Sequence, residues 1–402
     1  MRRTRPTPSS ERLATARGLL RDGAAVLSLS GLVVALYWRI ALAGRVLAGG
    51  DAYLYFYPYW AEASRALRAG RLPLWNPYLF MGAPFLANSQ VGLFYPLNWP
   101  LWLALPAHTA IHASMVVHLC LAAWNAYAWA RGTIRLERPW AGLAAATYAL
   151  GGYLSAQVEH LNQLQGLAWL PLALLLAERA AGGRRRAAPA VGLALVVALI
   201  LLAGHTQVAF ITMVGVTVAA LGPPLWRGVG GLRSRGGTVT SDGRHPTIVR
   251  DLLGQIGPVA AGLALAVLLA GAQLLPAFEL THQSIRAGGL PFEERVSFSL
   301  SPLYLARALL PTIVHAPPPA HMEHIAYVGL SGLALAVVAL LRRAPDEPSA
   351  RPSRQPALIL AAAGVFLALG GYNPLYLALA RFVPGFAHFR VPARWLALYA
   401  LG

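Results

Sequence analysis

The sequence predicts an all-α polytopic membrane protein, a bundle of about ten transmembrane helices whose long first outer loop carries interfacial helices. Three observations predict it. Of 402 residues, 57% are hydrophobic and only 12% charged, with a mean hydropathy of +0.53; ordinary soluble domains carry about a quarter charged residues. Apolar stretches long enough for a bilayer-crossing helix, roughly 20 residues, recur along the chain. They are rich in Ala, Leu, Val and Gly and lack the alternation of barrel strands. Disorder and an ordinary soluble fold are both excluded.

The elements follow in order. Residues 1–22 hold Arg2, Arg3, Arg5, Arg12, Arg17 and Arg21, a basic cytoplasmic N-terminus ahead of a first apolar run over 23–43. Ala41-Leu42-Ala43 resembles a signal-peptidase site, but the run is long and more spans follow, so a retained signal-anchor is expected. The first outer loop covers 44–107. Further spans lie near 108–130, 139–156, 164–181, 187–204, 207–225, 254–277, 325–341 and 357–371, and an incomplete one covers 395–402.

Net charge is +18, and with no Lys in the chain all 33 fixed cations are Arg. Such an excess can mark nucleic-acid binding. Here topology explains it: with the N-terminus inside, segments 1–22, 131–138, 178–190, 226–253 and 342–356 hold two thirds of the Arg, as the positive-inside rule requires. No nucleic-acid partner is expected. Stretches 228–247 and 344–356 read as flexible loops. Cys120 is the only cysteine, which excludes an internal disulfide and a four-Cys zinc site. Walker A, strand-linked GxGxxG and GxSxG motifs are missing.

The fifteen carboxylates divide by side. Glu11, Asp22, Glu137, Glu178, Asp242, Asp251, Asp346 and Glu347 fall inside among Arg residues, as solvated loop charges. Asp51, Glu62, Glu159, Glu279, Glu293, Glu294 and Glu323 fall outside. Asp51 follows Gly49-Gly50 and opens an aromatic outer segment in which Tyr53, Tyr55, Phe56, Tyr57, Tyr59 and Trp60 suit the headgroup level. Residues 58–69 fit an amphipathic helix lying on the membrane with Glu62, Arg65 and Arg68 on its wet side. Between a helix end and that aromatic platform, Asp51 is placed for base work or is simply a helix-terminal carboxylate.

The next outer loop, SAQVEHLNQLQGLAW, sets Glu159 and His160 together beside Asn162, Gln163 and Gln165, a cluster that must face water or a cavity. Gly204-His205-Thr206-Gln207 forms the following outer turn. Glu279 and His282 begin the fourth outer loop, and HFRVPARW brings Arg390 and Arg394 to the fifth. Outer Arg residues run against the positive-inside bias, and paired guanidinium groups suit a phosphate, although snorkelling onto lipid headgroups also accounts for them. His315, His321, Glu323 and His324 lie within ten residues. HExxH is lacking and the PPP tract is not helical, so loop histidines rather than a metal centre are expected.

The segments GGDAYLYFYPYW, LPLWNPYLFMGAPF and YPLNW resemble the YfhO-type bacterial membrane proteins of the broad GT-C class of integral-membrane glycosyltransferases. GHTQ at 204–207, QLLPAFELTHQSIR at 273–286 and HFRVPARW at 388–395 extend the resemblance from about 49 to 395. It implies a multi-helix body in the bacterial plasma membrane, its active site extracytoplasmic, and a polyprenyl-phosphate sugar as donor. The acceptor would belong to the cell envelope: polysaccharide, teichoic acid, protein or lipid. It also implies Asp51 as catalytic base, assisted by Glu159 or His160, with Arg390 and Arg394 against the lipid phosphate. Tyr57, His205, Gln207, Glu279 and His282 are the further substrate-binding candidates. Relatives of this type are usually longer, so the chain is expected to stop inside its tenth span.

The function expected is therefore glycosyl transfer at the outer interface, with no cofactor or metal. The rival expectation is an envelope transporter or lipid flippase without bond chemistry, which predicts polar residues at mid-span along a path. A non-catalytic assembly subunit is expected instead if no cavity joins Asp51 to Glu159 and Arg390.

Overall fold

The computed structural model describes residues 8–47, 49–182, 185–234, 248–285, 287–310, 322–341 and 354–402. The described residues are mostly helical. From the N-terminus come α1 (Pro8–Leu36), α2 (Trp38–Ala41) and α3 (Tyr57–Arg68), the last entered through a π-helical turn at Ala52–Phe56. The one sheet among the described residues is a hairpin of β1 (Trp75–Asn76) with β2 (Ala83–Pro84). Then follow α4 (Asn98–Ala104), α5 (Ala107–Trp129), α6 (Arg138–Leu150), α7 (Gly152–Ala156), α8 (Leu161–Gly182), α9 (Ala187–Leu202) and α10 (Thr206–Ser234). The remainder is α11 (Ile248–Leu269), α12 (Gly271–His282), α13 (Phe292–Arg295), α14 (Leu305–Leu309), α15 (Leu330–Leu341), α16 (Gln355–Ala368), α17 (Pro374–Phe382) and α18 (Leu396–Leu401).

Two of these helices are long and apolar enough to cross a membrane, over Ala16–Leu36 and Ala107–Ile134. Gly254–Leu269 and Gly271–His282 qualify together as a third, but they are bent by 74° at Ala270. Ala187–Leu202, Thr206–Leu221, Leu330–Leu341 and Gln355–Ala368 are apolar but shorter. The expected span over 254–277 is thus two legs, and that over 139–156 breaks at Gly151 into α6 and α7.

The core is organised around α8, which packs against α5, α9, α10 and α11. Apolar residues cover it on every side, as a central rather than a surface helix requires. Its backbone also receives side-chain donors from neighbours: Asn125 Nδ2 donates to the Ala168 carbonyl (2.9 Å) and the Tyr148 hydroxyl to Leu167 (2.8 Å). At the Arg-rich end, Asp22 on α1 accepts from Tyr127 (2.7 Å) and Arg138 (2.8 Å), and Thr133 donates to Glu178 (2.5 Å). Asp22 and Glu178 therefore tie helices together and are not the freely solvated loop charges the sequence reading expects. Glu62 also departs from expectation. It is buried beneath Arg65, with which it pairs, while Arg65 and Arg68 remain exposed on α3.

The segment between α3 and α5 is fastened by a buried polar network. Gln165 donates to Asn98 (2.7 Å) and Ser114 (3.1 Å), and Asn98 donates to the Gly92 carbonyl (3.1 Å). His118 donates from Nδ1 to the Ser114 carbonyl (2.7 Å), leaving Nε2 to accept from Tyr95 (2.7 Å), whose hydroxyl accepts in turn from Trp169 (2.8 Å). Each polar group finds a partner, as burial demands, and residues 92–98 are held against α5 and α8.

Candidate active site

The helix ends and loops that the sequence places outside converge on one cleft of about 720 Å³. Its lining comes from the start of α3's lead-in turn (Asp51), the loop 87–90, the start of α8, the α9–α10 turn 204–207, one face of α12, and residues 388–394. Six separated segments thus meet at one end of the bundle.

Asp51 and His160 face one another across this cleft, with Oδ2 and Nε2 3.6 Å apart. That is longer than a direct hydrogen bond and admits a bridging water or hydroxyl. Asp51 is exposed, while His160 is half-buried and fixed from behind: its Nδ1 lies 3.0 Å from Oε1 of fully buried Gln157, an acceptor, so Nδ1 carries the proton. This leaves Nε2 as the atom that exchanges a proton on the Asp51 side.

The cationic side is built by residues 390–394. Arg394 is partly buried and its charge is already matched: Nε and Nη2 donate to Oε1 of Glu323 (3.0 and 2.5 Å), and Nη1 donates to Gln207 Oε1 (2.8 Å). Gln207 returns Nε2 to the Arg390 carbonyl (2.6 Å) and the Tyr153 hydroxyl donates to the Arg394 carbonyl (3.0 Å), so this segment is bracketed from two helices. Arg390 is exposed in the cleft and pairs with no carboxylate among the described residues.

His205 sits between these groups. Its Nδ1 accepts from the Val208 amide (3.2 Å), capping α10. Burial holds its imidazole well below the usual histidine range, and the charges of Arg394 and His160 press the same way. At cleft level, then, His205 is neutral with Nε2 protonated.

Of the candidates named from sequence, Asp51, His160, His205, Gln207, Arg390 and Arg394 line the cleft; Tyr57, Glu159, Glu279 and His282 do not. The Tyr57 hydroxyl is engaged by His112 Nε2 (3.1 Å), which also accepts from the Leu47 amide (3.1 Å), so Tyr57 fastens the chain after α1. The Glu159 carboxylate packs against Gly49 and Gly50, where any side chain would collide with it, behind the turn that carries Asp51. Glu279 and His282 occupy the exposed side of α12, His282 against Phe278, while Leu274, Ala277 and Thr281 of the same helix face the cleft. Within the expected histidine cluster, Glu323 is committed to Arg394; His315 and His321 lie outside the described residues. No group of three or more metal-ligating side chains occurs among the described residues.

Sequence reasoning missed Gln157, His388 and the neutral wall of Asn88, Ser89 and Gln90. The i, i+3 spacing of Gln157 and His160 across the tight turn between α7 and α8 is the legible signal for the first; nothing local marks the others. No protein-family model matches the chain, and no curated protein matches it.

Proposed function

We propose that the cleft transfers a sugar from a polyprenyl-phosphate donor to an acceptor hydroxyl on the outer face of a bacterial plasma membrane. The observation that carries this reading is the sharing of one cleft by an Asp–His pair and an unpaired Arg. In the reaction the acceptor oxygen forms a bond to the anomeric carbon as the bond from that carbon to the phosphate oxygen breaks. The acceptor proton passes to Asp51, with His160 Nε2 as the adjoining relay. The departing phosphate gains negative charge beside Arg390, the kind of electrostatic stabilisation that dominates many such sites. Arg394, already neutralised by Glu323, acts as a positioning residue for the Arg390 segment.

The surrounding wall suits a polyol. Asn88, Ser89, Gln90, Asn162, Gln163, Thr206 and Thr281 supply neutral donors and acceptors, which match hydroxyls without demanding charge. The wider reading, a ten-span GT-C-like bundle of the YfhO type with a cytoplasmic N-terminus, belongs to the same proposal. It is supported by the segregation of cleft and Arg-rich helix ends to opposite poles. Within the described helices, the buried polar side chains Asn125, Ser114 and His118 are bonded to neighbours rather than lining an open path, which favours surface chemistry over transport.

Membranes containing the chain, incubated with radiolabelled polyprenyl-phosphate sugars, test it. Label transferred to a polymer or lipid, and lost in the Asp51→Asn variant, supports the proposal. Label that crosses the membrane still attached to its carrier overturns it in favour of a flippase.

A further inference from the structure

The β1–β2 hairpin stands out from the rest of the first outer loop. Trp75 pairs with Pro84 and Asn76 with Ala83, and the tip between them reads Pro-Tyr-Leu-Phe-Met-Gly. Asn76 Oδ1 accepts from the Tyr78 amide (3.0 Å) and the Gly82 amide donates to Leu79 (2.7 Å), so the tip is an ordered turn. Phe80 (φ 51°) and Met81 (φ 61°) are both left-handed there, a conformation that costs about 1–2 kcal/mol at each non-glycine residue. The tip is also widely exposed: Phe80 is 90% exposed, Met81 fully, and Trp75 and Tyr78 more than half. A contiguous exposed apolar patch of this kind marks an interaction surface.

Charge identifies the partner. Between Arg71 and Arg131 the chain has no Asp, Glu, Lys or Arg. Beside the hairpin stand exposed Arg65 and Arg71, Arg65 donating to the Tyr78 hydroxyl (2.9 Å) with its guanidinium 4.9 Å from the ring, while Arg68 on the same helix donates to the Trp102 and Leu105 carbonyls (3.2 and 2.8 Å). The one carboxylate of α3, Glu62, is buried against Arg65. An apolar tip inside a cationic collar complements a lipid leaflet, apolar below and phosphate-bearing at its surface.

We propose that the 75–84 hairpin is a membrane finger whose Phe80 and Met81 insert into the outer leaflet while Arg65 and Arg71 rest on lipid phosphates. The strand leaving the finger runs through buried Phe85 into the cleft wall at 87–90, so insertion seats that wall at the membrane surface. The inference is independent of the reaction carried out in the cleft.

Because Cys120 is the only cysteine and is buried, a Cys120→Ala background accepts single spin labels cleanly. Labels are placed at Met81→Cys, at Leu195→Cys on the exposed apolar face of α9, and at Thr206→Cys on the cleft. The protein is reconstituted in vesicles of phosphatidylethanolamine and phosphatidylglycerol, and collisions with oxygen and with a water-soluble nickel chelate are compared. Met81 should match Leu195, with an oxygen-to-nickel ratio several-fold above that of Thr206, and Arg71→Glu should lower it. A ratio equal to that of Thr206 would put the tip in water. A label immobilised and shielded from both reagents would mean that the tip docks on protein. Either result overturns the proposal. Phe80→Trp in the otherwise unaltered chain gives a second readout, since brominated lipid must quench its added fluorescence.

Discussion

Arg394 and buried Glu323, 71 residues apart, form an ion pair in which two guanidinium nitrogens converge on a single carboxylate oxygen (3.0 and 2.5 Å). The third donor is taken by Gln207. The two cleft arginines therefore have different tasks although they sit four residues apart. Arg394 is held, and holds the loop; Arg390 is free to meet an anion.

Removing the two side chains should separate those tasks. Arg394→Met leaves Glu323 buried without its cation, a loss of about 3–5 kcal/mol in comparable pairs. Arg390→Met leaves no buried charge behind and should change thermal unfolding little, while weakening binding of dodecyl phosphate at least tenfold. The double variant Arg394→Met/Glu323→Met should recover much of the lost stability. Thermal unfolding in detergent, paired with dodecyl phosphate titration, reads both. Equal effects of the two single changes on stability would contradict the division.

General-base assistance contributes about 10²–10⁴-fold, and this sets the scale for Asp51→Asn in sugar transfer. Since Asp51 is exposed and makes no direct hydrogen bond in the structure, the same variant should insert and unfold like the parent. His160→Gln should cost less, because Asp51 retains its access to the acceptor. Gln157→Leu, which frees the His160 ring without touching the cleft, should lower turnover and move its pH profile. Wild-type turnover in Asp51→Asn would remove this carboxylate from the mechanism.

The sequence made legible what depends on local pattern. Apolar runs marked most helices, Arg marked one pole of the bundle, and polar helix ends marked Asp51, His160, His205 and Gln207. What it hid depends on distant partners. Glu62 looks solvent-facing on a helical wheel, and only the fold buries it under Arg65. Tyr57 has the look of an interfacial aromatic until His112, 55 residues on, takes its hydroxyl. The 74° break at Ala270 has no proline at the bend, the nearest being Pro276 inside α12, so hydropathy alone joins the two legs.

His205 gives a pH dependence of fixed sign. Its folded-state pKa lies well below the usual histidine value, so the folded chain refuses a proton that the unfolded chain accepts. Its stabilising contribution is whole above about pH 6.5, the ordinary value, and drains away as the pH falls below it. Chemical unfolding measured at successive pH values should show a loss of stability from about pH 6.5 downward. His205→Asn should flatten that decline, even if it lowers stability at neutral pH by loosening the α10 cap. An unchanged slope in the variant would assign the acid sensitivity elsewhere.

The seam between the first outer loop and the α9–α10 turn rests on a close backbone approach. Gly204 (φ 89°) lies where any Cβ would strike the Ser89 carbonyl and the Gln90 backbone, and its own carbonyl accepts from the Ser89 hydroxyl (3.2 Å). Ser89–Gln90 and His205–Gln207 line the cleft from either side of this contact, so separating them opens the cavity. Gly204→Ala adds conformational strain and a clash that no side-chain rotation can relieve, together about 2–5 kcal/mol. Gly70 isolates the first effect. It too is left-handed (φ 69°), but nothing lies within 4 Å of a Cβ there, so Gly70→Ala should cost only the backbone contribution, about 1–2 kcal/mol. Thermal unfolding of the two variants should therefore differ in Gly70's favour. Dodecyl phosphate binding should fall only in Gly204→Ala, because that change alone moves the wall facing Arg390. Equal losses at both positions would mean that the seam yields without strain and does not set the width of the cleft.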